Sequence, residues 1–142
     1  MTRFNSSVAP PWVRFGLVAA WALVLLYASV SDPSGAPLAR SGPLGLLGFD
    51  KWLHAGAYAA FAVLLAYALL PRWRSTRRGL IAALLLAGGY GLAMELLQAP
   101  LAARSFDLAD ATANVLGALA VVLAVALGSR MLDRRRSDTV RR

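Results

Sequence analysis

Four stretches of this chain are nearly free of charge, and they constrain its fold more than any other feature. Phe15 to Ser31 has no charged side chain, and Trp52 to Leu70 has only His54. Gly79 to Met94 has none before Glu95 closes it, and Ala111 to Ser129 again has none. Each approaches the roughly 20 residues that carry an α-helix across hydrocarbon. Alanine and leucine dominate all four, which favours helix over strand. In lipid, an open sheet would leave backbone groups unpaired, which excludes it. Hydrophobic residues make up 58% of the 142 and charged residues 15%, against about 25% charged in an average soluble domain. The expectation is an all-α polytopic membrane protein, four transmembrane helices in a compact bundle. Their bounds are about 12–30, 52–70, 79–98 and 109–129, within a single domain 1–142 that ends in a basic tail, 130–142.

The opening "MTRFNSSVAPPWVR" followed by an apolar run has the outline of a signal peptide. The run is long for one, and "YASVSDPSG" matches a small-x-small cleavage site poorly. The first segment is expected to stay as a helix.

Basic residues predict the orientation. Four spans put the first tail (Arg3, Arg14), the link "PRWRSTRR" and the last tail on one side of the membrane. That side holds twelve of the fifteen basic residues, leaving Arg40, Lys51 and Arg104 opposite. The excess of basic residues marks the cytoplasmic side, so both termini are expected inside a cell (inner or plasma) membrane. The net charge of +8 arises from these short clusters between apolar runs. It therefore reads as topology and not as a nucleic-acid surface. With no cysteine there is no disulfide, thiolate metal site or thiol nucleophile.

The few polar groups left gather at the other side. "DKWLHAGAY" contains the chain's only lysine and only histidine, Lys51 and His54, beside Asp50 at the mouth of the second helix. Spacings of three and four place Lys51, His54 and Tyr58 on one helical face, and Glu95 and Gln98 on another. Asp107, Asp110 and Asn114 form a third stripe, which Gly117 continues one turn deeper. Asp107 or Ser105 is expected to cap the fourth helix. Arg104, in the tight link "APLAARSFD", has the planar fork that suits phosphate or carboxylate. Together these groups line a shallow cavity open to the outside. None reaches the inner half, which argues against an ion path through the bundle.

"DKWLHAGAYAAFAVLL" with "GYGLAMELLQAPLAARSFDLADATANVLGALAVVL" resembles the VanZ-like family of small membrane proteins. The resemblance covers about Asp50 to Leu123. It rests on Asp50, Lys51, His54 and Tyr58 opening one helix and on Glu95 and Gln98 closing the next. Arg104, Ser105, Asp107 and Asp110 in the turn, with Asn114 and Gly117 on the last helix, complete it. The link "QAPLAAR" departs from the family's usually more polar or aromatic one. The resemblance implies an envelope-associated role at the outer leaflet, in a family named for members linked to resistance to the glycopeptide teicoplanin. It supplies no reaction.

Interhelical hydrogen bonds in membranes average only ~0.6 kcal/mol, and neutral side chains supply them. Charges near hydrocarbon are costly and mark function. Three readings of the pocket follow. In the first, His54, Glu95 and Asp110 carry acid–base chemistry, and Lys51, Arg104, Asp50, Asp107, Gln98, Asn114 and Tyr58 bind an anionic envelope lipid or lipid-linked cell-wall precursor. Hydrolysis or transfer on its phosphate would be the reaction. In the second, a non-catalytic protein binds or shields the same lipid. The third, a metal held by His54, Glu95 and Asp110, ranks last, because one histidine with two acids is a common coincidence. The expectation is no metal and no cofactor, with the bilayer as partner and the oligomeric state left open.

Overall fold

Pro10 and Pro11 set where the first helix begins: proline's fixed φ suits the first helical position, and its missing N–H has no partner to lose there. The computed structural model describes residues 9–31, 41–45, 47–72, 75–102 and 105–140. Four α-helices account for most of them: α1 (Pro11–Val30), α2 (Phe49–Leu69), α3 (Thr76–Gln98) and α4 (Leu108–Val140). One 3-10 turn, Pro43–Gly45, precedes α2 and another, Leu70–Arg72, extends it. There is no β-strand among the described residues, only an isolated bridge between Ser41 and Gly48 that closes the turn entering α2.

All four helices are long and apolar enough to cross a membrane, α4 doing so over Leu108–Met131. Large apolar side chains such as Leu23, Leu85, Leu116 and Leu127 point outward. A water-soluble surface does not tolerate so continuous an apolar exterior. The protein is an all-helical, multi-pass membrane protein, as its sequence predicts.

Inside, α2 and α4 pack most extensively, α3 closes on both, and α1 leans on α2 and α3. Small residues allow this close approach. Ala83, Ala87 and Gly91 recur every fourth position along the buried face of α3. Gly117 of α4 lies against the backbone of Ala55, where any Cβ would collide with the Ala55 carbonyl. In a bilayer, where lipid is as apolar as leucine, such van der Waals contact is what joins helices. Phe61 fills the centre, edge-on to both Tyr58 and Tyr90.

Two differences from expectation have plain causes. The fourth helix runs on to Val140, beyond the residues that span hydrocarbon. "RMLDRRRSD" has no proline or glycine to end it, and arginine is a good helix former. Arg14, expected simply as a topology-setting charge, is 5% exposed and donates from Nη1 to the Ala68 carbonyl at 3.1 Å. It shares an inward stripe with Val18, Trp21 and Leu25. Its guanidinium thus serves a free carbonyl near the end of α2.

Candidate functional site

The start of α2, the end of α3 and the start of α4 meet at one end of the bundle, and the acids converge there. Asp107 caps α4: its Oδ1 accepts the N–H of Ala109 at 2.7 Å, and its carbonyl accepts the N–H of Ala111. A short carboxylate at this position satisfies free helix donors and suits the dipole. Of the two expected cap residues, Asp107 takes the role.

Lys51 lies in the first turns of α2, directed across to α4. Its ammonium is 2.6 Å from Asp107 Oδ2, 2.6 Å from Asp110 Oδ1 and 2.9 Å from Asp50 Oδ2. An ammonium has three N–H donors, so three carboxylates satisfy it. Asp107, outside the spanning helices, is held below the ordinary carboxylate range, first by this Lys51 bond and then by the Ala109 N–H.

One turn deeper lies His54. Its Nδ1 is 3.0 Å from Asn114 Oδ1, and its Nε2 is 3.6 Å from Asp110 Oδ2. With the amide so oriented, a neutral ring carries its hydrogen on Nδ1 and turns the Nε2 lone pair toward Asp110. Glu95, from the last turn of α3, is 1% exposed. Its Oε2 accepts the backbone N–H of Asp107 at 3.3 Å, and its Oε1 stands 3.9 Å from His54 Nδ1. Asn114 is fully buried, and its Nδ2 has no hydrogen-bond partner. One potential ligating atom from each of His54, Glu95 and Asp110 lies within 4.8 Å of the others.

The structure therefore brings together Asp50, Lys51, His54, Glu95, Asp107, Asp110 and Asn114, from three helices far apart in sequence. Two expected members point elsewhere. Gln98 donates to the Ser29 carbonyl at 3.1 Å, tying the end of α3 to the end of α1. Tyr58 is buried in the core beneath the cluster, against the backbone of Gly91. Arg104 lies outside the described residues. Sequence spacing missed Gly91, whose bare Cα makes room for Tyr58 and Asn114 together: a Cβ there would lie 3.0 Å from an atom of each. Its fourfold spacing with Ala83 and Ala87 was the available signal.

A four-helix membrane bundle with a cluster of charged side chains at one end defines the class. Within that class, the family model described as VanZ/LLP1 matches residues 15–129, and the chain belongs to this family. No curated protein and no solved structure matches the chain.

Proposed function

We propose that the pocket receives the phosphate-bearing head group of an envelope lipid or lipid-linked precursor, with His54 acting as a proton carrier. The observation that carries this reading is the fixed His54 ring. Asn114 holds Nδ1, and Nε2 is turned toward Asp110. An imidazole can accept and return a proton at a ring nitrogen, and a neighbouring carboxylate orients it. In this role His54 takes a proton from an attacking hydroxyl and returns it to the leaving oxygen.

Lys51 is assigned a different part from the direct phosphate contact expected of it. With three carboxylates around it, Lys51 positions Asp110 and Asp107 across the α2–α4 gap. Arg104 remains the proposed phosphate contact, through its paired N–H donors.

The proposed orientation puts both termini in the cytoplasm and the pocket outside. It is supported by Arg14, Arg72, Arg77, Arg78 and Arg130 at the opposite end of the bundle. A link to glycopeptide resistance belongs to the same proposal, and its support is the family resemblance alone.

Non-catalytic binding is the second reading, and the three-carboxylate clamp on Lys51 favours it by making a rigid receptor. Wild type and His54→Gln, purified in mild detergent, separate the two when their bound lipids are compared by mass spectrometry. Turnover predicts that the same lipid class is retained intact by the variant and converted by wild type. Identical intact lipid on both would leave a binding protein, and no lipid on either would remove both readings.

A further inference from the structure

We propose that His54, Glu95 and Asp110 hold a divalent cation, with His54 Nε2 and one oxygen from each carboxylate as ligands.

Three separate observations lead there. The first is the gap between His54 Nε2 and Asp110 Oδ2. At 3.6 Å it is too long for an N–H···O hydrogen bond, and it sets a lone pair against a carboxylate oxygen. Two ligands about 2.1 Å from a shared ion at a tetrahedral angle stand about 3.4 Å apart. The separation suits a cation between them.

The second is Glu95. Its carboxylate is 1% exposed, yet its one hydrogen bond among the described residues is from the Asp107 N–H to Oε2. Oε1 stands 3.9 Å from His54 Nδ1 with no donor of its own among those residues, and one ligand atom of each of His54, Glu95 and Asp110 lies within 4.8 Å of the others. A buried carboxylate is costly unless it is paired or coordinates a metal. The single lysine nearby cannot pair with it, because three other carboxylates occupy it.

The third is the way the histidine is held. Metal-ligating histidines donate the second ring N–H to a carbonyl or carboxylate, which fixes the tautomer and aims the ligating nitrogen. His54 does this through Nδ1 and the buried Asn114 amide oxygen.

One nitrogen and two oxygens suit a first-row divalent ion such as Mn²⁺ or Zn²⁺, with water or a substrate oxygen completing its shell. The cation also answers an electrostatic difficulty in the proposed function. Four carboxylates (Asp50, Glu95, Asp107 and Asp110) surround the pocket and repel a phosphate. A divalent ion bound among them would offset two of these charges and give a phosphate oxygen a positive centre to meet. This last point rests on the proposed phosphate-bearing ligand alone, and the binding site does not: with Nε2 on the ion, an ion-bound water would replace His54 as the proton carrier.

The test uses the full chain in detergent, stripped with EDTA and titrated with Mn²⁺ while the free-ion electron paramagnetic resonance signal is followed. One tight Mn²⁺ per chain is expected, with nitrogen modulation from a bound imidazole in pulsed spectra. Glu95→Gln and Asp110→Asn should each weaken binding at least tenfold, and His54→Gln should abolish the nitrogen modulation. The wild-type spectrum needs no variant to fold, so it decides alone. An undiminished free-ion signal, or bound Mn²⁺ without nitrogen modulation, overturns the site. A lipid that is never converted, with Mn²⁺ still bound through nitrogen, would remove the proposed reaction and leave the metal site standing.

Discussion

Lys51 Nζ lies 2.6 Å from Asp110 Oδ1, joining the first turns of α2 and α4 across fifty-nine positions of sequence. The same nitrogen also binds Asp107 and Asp50, so one cation offsets three carboxylates at a half-buried site. Replacing it with Lys51→Met leaves those acids facing one another without compensation. The expected loss is about 2–4 kcal/mol, toward the low side for a buried pair because Lys51 retains some solvent contact. Thermal unfolding in detergent at neutral pH measures it. A variant that melts with the wild type would show that the clamp is not structural.

Asp107 makes the clamp sensitive to acid. Its pKa is depressed in the folded protein by Lys51 and by the Ala109 N–H. Its contribution is therefore complete above the ordinary carboxylate value of about 3.9 and is lost as pH falls through the lowered value. Stability measured from pH 7 downward should fall below about pH 4 in the wild type. Asp107→Asn should be less stable at neutral pH and should lose less on acidification. Parallel acid profiles would contradict the assignment.

Gly117 tests the packing beneath the pocket. A methyl at this position meets the Ala55 carbonyl, and α4 must move away from α2. Gly117→Ala is expected to destabilise by about 1–3 kcal/mol. Gly89→Ala, on α3 with open space around its Cα, is the control. It should be neutral or stabilising, by up to about 1 kcal/mol. Equal melting of the two variants would refute the close crossing.

Much of this was legible in the sequence, because a bilayer permits few alternatives. Charge-free runs near twenty residues imply helices, and three- and four-residue spacings put Lys51 with His54 and Asp110 with Asn114. What spacing could not show was the direction of side chains near helix ends. Gln98 shares a face with Glu95, yet it reaches the α1 carbonyl of Ser29 instead of the cluster. It is long enough to serve a neighbouring helix terminus, where carbonyls lack internal partners. Arg14 reads as a topology-setting charge in sequence and is buried for the same reason, its donor satisfying the Ala68 carbonyl. Hydropathy marks where the fourth span stops, near Met131, whereas the helix itself runs on until a breaker stops it.

Glu95 separates a residue kept for stability from one kept for chemistry. Without metal, Glu95→Gln keeps an oxygen for the Asp107 N–H and removes a buried charge. The EDTA-stripped variant should melt higher than the stripped wild type, by on the order of 1 kcal/mol. A lower melting point would make Glu95 a structural member of the bundle. Stabilisation with lost metal binding is the pattern of a functional group held at a cost.

The proposed action of this site on an envelope lipid is tested most directly by comparing envelope lipid mass spectra. Membranes expressing wild type would be set against membranes expressing His54→Ala at matched protein levels. The account predicts a lipid or lipid-linked precursor whose amount or head group changes with the wild type alone. Indistinguishable spectra, with both proteins folded and in the membrane, would contradict it.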